Sequence, residues 1–180
     1  GGKAVITTAS DVLGLTAPDE VARRLDAVVD DPVALRKVTV ALVDGQPVCI
    51  EADADPGISG YRRVAPGGSA EGCAARLLVT TASGPAPADM LTAKLIPRHF
   101  TAGVGCHSGT TAADIVAAVE AVCAREAIDP RALGVIASID AKRDEAGLIE
   151  AAGRMGARLR FYSAEELEPL GRPGSDFVAT

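Results

Sequence analysis

The spacing of apolar and polar positions changes along the chain, and each change marks an element. From Pro18 to Val29 the spacing predicts a helix, with Val21, Leu25, Val28 and Val29 on one side and Asp19, Glu20, Arg23 and Arg24 elsewhere. Asp31-Pro32 opens a second helix: a carboxylate to cap the free amides, then the residue whose fixed φ suits the first turn. Asp44-Gly45 stops that helix after about Val43. Short apolar runs at Ala4–Thr8, Pro47–Glu51 and Leu77–Ala82 predict strands, with a turn at Asp11–Leu15. Asp53 to Gly72 carries Pro56, Gly57, Gly60, Pro66, Gly67 and Gly68 and predicts an extended loop. Ser83 to Ala88, with two prolines and a glycine, reads as a linker.

The second half alternates more regularly. Strands are expected at Thr101–Cys106, Ala132–Ile139 and Ala157–Phe161. Helices are expected from Thr111 to Ala127, capped by Thr111 and Asp114, and from Glu145 to Met155, ended by Gly156. Ser163 and Glu166 cap a short last helix reaching Leu170. Strand, helix, strand, helix, strand implies a parallel sheet with right-handed crossovers. The expected class is α/β: a three-layer, mainly parallel sheet in a C-terminal part, 94–180, preceded by a smaller α/β segment, 1–93.

Composition narrows the function. Apolar residues make up 48% of the 180-residue chain and aromatics 3%, with no Trp, so the core is aliphatic and stacking platforms for unpaired bases are scarce. The net charge of −6, with no block of Lys and Arg, argues against nucleic-acid binding. No apolar run approaches a membrane span and no secretory leader is evident, so the expected location is cytoplasmic. The chain starts at Gly1 without Met, which suggests a processing boundary. Four cysteines, at 49, 73, 106 and 123, lack zinc spacing and a histidine cluster, so four reduced thiols and no metal site are expected. Cys123 is expected to be buried on an apolar helix face.

Loops following parallel strands share one sheet edge, where ligands sit. Here those loops are Cys106–Thr111, Asp140–Glu145 and Tyr162–Glu166. Gly103, Gly105 and Gly109 let the first loop turn tightly, and the next helix offers unpaired amides to an anion. A tight turn without ligand fits the same residues. The glycines are spaced by 2 and 4, where the dinucleotide fingerprint needs 2 and 3, which argues against such a cofactor. His107 sits where a proton carrier would, or is a solvated loop histidine; His99 reads as structural or exposed. Cys106, beside a helix start, is either an activated thiol or, more simply, a small buried residue. Asp140 and Glu145 are candidate bases, and Lys142 and Arg143 candidate carboxylate partners, against an ordinary exposed turn capped by Asp144. Ser163 is explained by capping alone but belongs to the same edge.

Three ordered motifs carry a resemblance: Gly103-Val104-Gly105-Cys106 with Gly109-Thr110, Ser138-Ile139-Asp140-Ala141-Lys142 with Asp144-Glu145 and Gly147-Leu148, and Phe161 to Leu167. Together they resemble the C-terminal domain shared by cobalt-precorrin-5A hydrolases and their small relatives, the CbiG and CobE proteins. Val5 to Asp11 with Gly14-Leu15, and Leu42 to Val48, resemble the end of the hydrolase's preceding domain, which favours the hydrolase over the small relatives. The resemblance runs from Val5 to Val178, a part of the family pattern, which extends further at both ends. His107-Ser108 stand where the family usually has basic residues. The resemblance implies a cytoplasmic role in cobalamin biosynthesis: opening the δ-lactone of cobalt-precorrin-5A and releasing acetaldehyde. Asp140, Glu145 and His107 would transfer protons. Gly103, Gly105, Cys106, Gly109, Thr110, Lys142 and Ser163 would hold a tetrapyrrole carboxylate. Cobalt would arrive within the substrate, so no protein cofactor is implied. Expected partners are the corrin precursor and other enzymes of the pathway, with no nucleic acid and no membrane. A non-catalytic tetrapyrrole carrier, or a pure interaction domain, is the alternative.

Overall fold

A computed structural model describes residues 14–53 and 57–168, and these divide into two compact units. The expected strand at Ala4–Thr8 lies outside the described residues, as does the far end of the last helix at Leu170. The first unit comprises 14–53, 57–99 and the segment Ala127–Ala132; the second holds Phe100–Glu126 and 133–168.

In the first unit, helix α1 (Pro18–Arg24) is followed by β1 (Ala27–Val29), α2 (Pro32–Val43), β2 (Val48–Ala52), β3 (Arg62–Val64), β4 (Ala75–Val79) and β5 (Leu91–Pro97). The strand order is β1-β5-β4-β2-β3, parallel throughout except for β1 against β5. Helix α2 forms as its caps predict. Asp31 accepts from the Val33 amide at 2.7 Å, and Leu35, Val38, Ala41 and Leu42 are buried. They share a core with Val21, Ile50, Leu77 and Leu95.

The second unit runs β6 (Phe100–Gly103), α3 (Ala112–Arg125), β7 (Leu133–Ile139), α4 (Ala146–Met155), β8 (Arg158–Tyr162) and α5 (Ala164–Leu167). Its sheet, in the order β6-β7-β8, is parallel in both pairings. Two crossovers stepping the same way across a sheet put α3 and α4 on one face, and the two helices pack together. Ile115, Val119, Ile136, Leu148 and Ala151 are buried there. The fold is α/β with mainly parallel sheets, as the alternation implies.

Several expectations need correcting. The helix expected to Val29 ends at Arg24, because Asp26 takes a positive φ of 46° and turns the chain into β1. Strand β3 lies inside the expected loop 53–72. The run Ser83–Ala88 is no linker: it connects β4 to β5, two neighbours in one sheet. Strand β5 crosses the expected boundary before Lys94, and the units divide instead at His99/Phe100. The first unit, with five strands against three, is not the smaller segment.

The cysteines also differ from expectation. Cys49 and Cys73 form a disulfide, with Cα atoms 6.0 Å apart. Cys49 lies on β2, and Cys73 enters β4, the parallel neighbour of β2, so the sheet itself brings them together. Cys106 is half-buried and Cys123 is buried on α3; both lie outside the disulfide.

The face of the first sheet turned away from α2 is buried yet charged. Lys94 is 2% exposed, and its ammonium donates to the carbonyls of Ala82 (2.9 Å) and Gly84 (2.7 Å). Asp129, from the 127–132 segment, lies 3.7 Å from it. Arg131 donates to Asp129 at 2.8 Å and pairs with Asp30 at 2.7 Å. The Arg131 hydrogen bonds hold the Asp129 carboxyl below its usual range, against the opposing effect of burial. Every charge here has a partner, as burial demands.

Candidate functional site

The loops that leave β6 and β7 are built outward from the sheet. The Val104 amide donates to the Ala137 carbonyl at 2.8 Å, and the buried Ser138 hydroxyl donates to the Val104 carbonyl at 2.7 Å. The glycine loop therefore leaves the sheet with both backbone groups of Val104 fixed to β7. Further on, Gly109 adopts φ +79°, which side chains rarely tolerate, and the Thr110 hydroxyl donates to the His107 carbonyl at 2.8 Å. Thr111 caps α3 by accepting from the Asp114 amide at 3.2 Å.

One carboxylate clasps this loop to the next. Glu145, at the N-cap position of α4, accepts from the Gly109 amide at 3.1 Å and from the Lys142 ammonium at 3.1 Å. Lys142 also reaches the Ser108 hydroxyl at 3.3 Å. The Gly109 amide, then Lys142, then Ser108 hold the Glu145 carboxyl below its ordinary value. Glu145 thus occupies the position an external anion would take, at an amide and an ammonium beside a helix start. Asp144, the expected cap, does not hold the N-cap position; Glu145 does, although its side chain caps Gly109 and not its own helix.

Gly147 makes the clasp sterically possible. A Cβ there would overlap the Thr110 carbonyl oxygen, so only glycine lets the start of α4 lie against this loop.

The other candidates sit around this clasp or apart from it. Gly103 ends β6; Gly105 and the half-buried Cys106 follow it, and His107 is exposed. Asp140 is exposed and receives a hydrogen bond from Arg143 at 2.7 Å, while the Arg143 guanidinium lies over the Phe161 ring at 5.7 Å. Ser163 is engaged in a full capping box: its hydroxyl accepts from the Glu166 amide at 3.2 Å, and Glu166 accepts from the Ser163 amide at 2.7 Å. The geometry therefore brings Gly109, Thr110, Lys142, Glu145 and the His107 carbonyl together, gives Asp140 to Arg143, and gives Ser163 to its own helix. Sequence reasoning overlooked Ser108, Ser138 and the steric part of Gly147. A polar residue in an otherwise apolar strand and a glycine in the first turn of a helix were the available signals. Among the described residues, no group of three or more His, Cys, Asp or Glu is placed to hold a metal ion. Nor is any described helix long and apolar enough to cross a membrane.

Residues 100–180 match the family described as cobalamin synthesis G C-terminus. The β6–β8 unit with its clasped loops is thus a domain of cobalamin synthesis. Cobalt-precorrin-5A hydrolase of Priestia megaterium is 32% identical over 74 residues, which are 41% of this chain and 20% of that protein. Cobalt-precorrin-5A hydrolase of Salmonella typhimurium is 29% identical over 188 aligned residues, covering 99% of this chain and 54% of that protein. Protein CobE of Sinorhizobium sp is 33% identical over 66 residues, 37% of this chain and 43% of that protein. Residues 100–180 thus fall in the CbiG-type family of cobalamin biosynthesis, and the chain spans about half the length of the Salmonella relative and less of the other two.

Proposed function

We propose that the chain acts on cobalt-precorrin-5A, opening its δ-lactone and releasing acetaldehyde to leave cobalt-precorrin-5B. The observation that carries this reading is the clasp: Glu145 joins Gly109 and Lys142, residues from two of the motifs that resemble the hydrolase. Similarity to two proteins named as that hydrolase supports it. Lactone opening adds water to the acyl carbon and breaks its bond to the ring oxygen, giving a carboxylate and a free hydroxyl. That hydroxyl then loses its proton as the carbon–carbon bond to the macrocycle breaks. The macrocycle carbon takes up the electron pair and a proton, and the two-carbon unit leaves as acetaldehyde, so the site needs a group that accepts and returns protons. A carboxylate held at low pKa takes up a proton poorly, so Glu145 is a positioning residue in this reading. Asp140 and the exposed His107 are the proposed proton carriers. Lys142 and the Gly105 amide, with Gly103, Cys106 and Ser163 near the same edge, are the proposed neighbours of the substrate's carboxylates. The Gly109 amide would serve only once Glu145 releases it, and the Thr110 amide once it leaves the His107 carbonyl. Cobalt belongs to the substrate.

A second reading, a non-catalytic tetrapyrrole carrier, is favoured by one observation. Lys142 already holds Glu145, and Asp140 is already paired with Arg143. The two separate on incubation with the lactone substrate. Acetaldehyde release supports the hydrolase, a spectral change of the corrinoid without acetaldehyde supports the carrier, and neither outcome removes both.

A further inference from the structure

With α3 and α4 on one face of the β6-β7-β8 sheet, the register identifies what stands on the other. Strand neighbours in parallel register project to the same face. Ile136 and Ser138 are buried, so Val135, Ala137 and Ile139 point the opposite way. In register with Val135 stands Arg158, and in register with Ala137 stand Gly103 and Arg160. This face is open: Gly103, Arg158 and Arg160 are exposed, Ile139 is 38% exposed, and a Cβ on Gly103 would meet nothing within 4 Å.

The chemistry of the face is uneven. Its floor, Gly103, Ala137 and Val135, is small and apolar, with Thr101 in register beside Val135. Its β8 margin carries two guanidinium groups, and neither has an ion-pair partner among the described residues. Several arginines elsewhere meet a carboxylate, among them Arg23, Arg76, Arg131, Arg143 and Arg154, whereas Arg36 and Arg62 meet none among the described residues; what sets Arg158 and Arg160 apart is that they stand two positions apart on one face of one strand. The chain as a whole is acidic, at −6, so two unpaired arginines side by side mark a local anion preference. A floor of small apolar side chains beside fork-shaped donors suits a ring with carboxylates at its rim.

We propose that this open sheet face, with Arg158 and Arg160 at its margin, binds a planar tetrapyrrole polycarboxylate, the ring lying over Gly103, Ala137 and Val135. The proposal rests on the tetrapyrrole reading above and adds to it Val135, Ala137, Arg158 and Arg160, which lie outside the three motifs; Gly103 is shared with the glycine loop. It also gives the substrate's carboxylates donors that no carboxylate among the described residues already occupies.

The test titrates the chain with uroporphyrin, a flat tetrapyrrole polycarboxylate, followed by fluorescence, with circular dichroism to confirm folding. Two variants probe the face: Arg158→Gln with Arg160→Gln, and Gly103→Val, which fills the open space with a residue suited to a strand. Lys142→Ala probes the loops separately. Expected are saturable binding by the wild type, a loss of about tenfold or more in the double arginine variant, and a comparable loss in Gly103→Val. Binding unchanged in both face variants but weakened in Lys142→Ala overturns the face and leaves the tetrapyrrole reading standing. No binding by the wild type overturns the reading and the face together. Sedimentation showing that a dimer forms and that both face variants break it would assign the face to a second copy of the chain, and would also overturn the proposal.

Discussion

Gly147, in the first turn of α4, lies so close to the Thr110 carbonyl oxygen that a single added carbon would overlap it. The obstacle is backbone, which cannot swing aside as a side chain would. Gly147→Ala is therefore expected to destabilise the protein by about 1–3 kcal/mol despite alanine's better helix propensity. Gly153, in the same helix, meets nothing within 4 Å, so Gly153→Ala is expected to be neutral or to stabilise by up to about 1 kcal/mol. Urea denaturation of the two variants side by side checks this; equal effects would contradict the close approach.

The clasp at Glu145 predicts a pH response. Its carboxyl is depressed, chiefly by the Gly109 amide and then by Lys142 and Ser108, relative to an ordinary value of 4.5. A depressed carboxyl contributes above its unfolded-state value, and the contribution is lost as pH falls through the lower folded value. The loops should therefore stay clasped at neutral pH and open only below 4.5. The Gly109 amide resonance, followed by NMR, should move with a midpoint below that value and should be insensitive to acid in Glu145→Gln. A midpoint at or above 4.5 would show that the amide is not bonded to this carboxylate.

The disulfide gives a chemical count. Thiol titration of the unfolded, unreduced protein should find two thiols, Cys106 and Cys123, and four after reduction. The bridge spans a sequence separation of 24, and removing it should cost about 2–4 kcal/mol. Four thiols before reduction would overturn the pairing.

The buried ion cluster in the first unit predicts a stability loss without change to the second. Asp129→Ala leaves Lys94, 2% exposed, without its carboxylate and removes the acceptor of Arg131. Loss of one partner from a buried pair costs about 3–5 kcal/mol. Thermal unfolding should show that loss, while the Gly109 resonance of the native protein stays in place. A change below about 1 kcal/mol would place these charges effectively in solvent.

What the sequence disclosed follows from how local each signal is. The caps at Asp31, Thr111 and Ser163, and the stop at Gly156, act within a few residues, and the helices start or stop at them where expected. The parallel β6-β7-β8 sheet followed from alternation alone. Strand β5 was hidden because Lys94 interrupts an apolar run, and its partner Asp129 lies far along the chain. The Cys49–Cys73 pair was hidden because only the adjacency of β2 and β4 brings the two residues together. In the candidate site, Lys142, Glu145 and Gly109 were legible as residue types at a sheet edge. Their mutual occupation was not, since it depends on a contact across 36 positions.

The central claim is that the clasped loops work on a corrin lactone, and the most direct measurement is acetaldehyde release from cobalt-precorrin-5A by the wild type and two variants. The wild type should release acetaldehyde in proportion to substrate consumed. Asp140→Asn should lower turnover by about 100-fold with little change in affinity, as expected for loss of a general base. Lys142→Ala should weaken substrate binding by about tenfold. Wild-type turnover in both variants, with unchanged affinity, would contradict the assignment of these loops as the site.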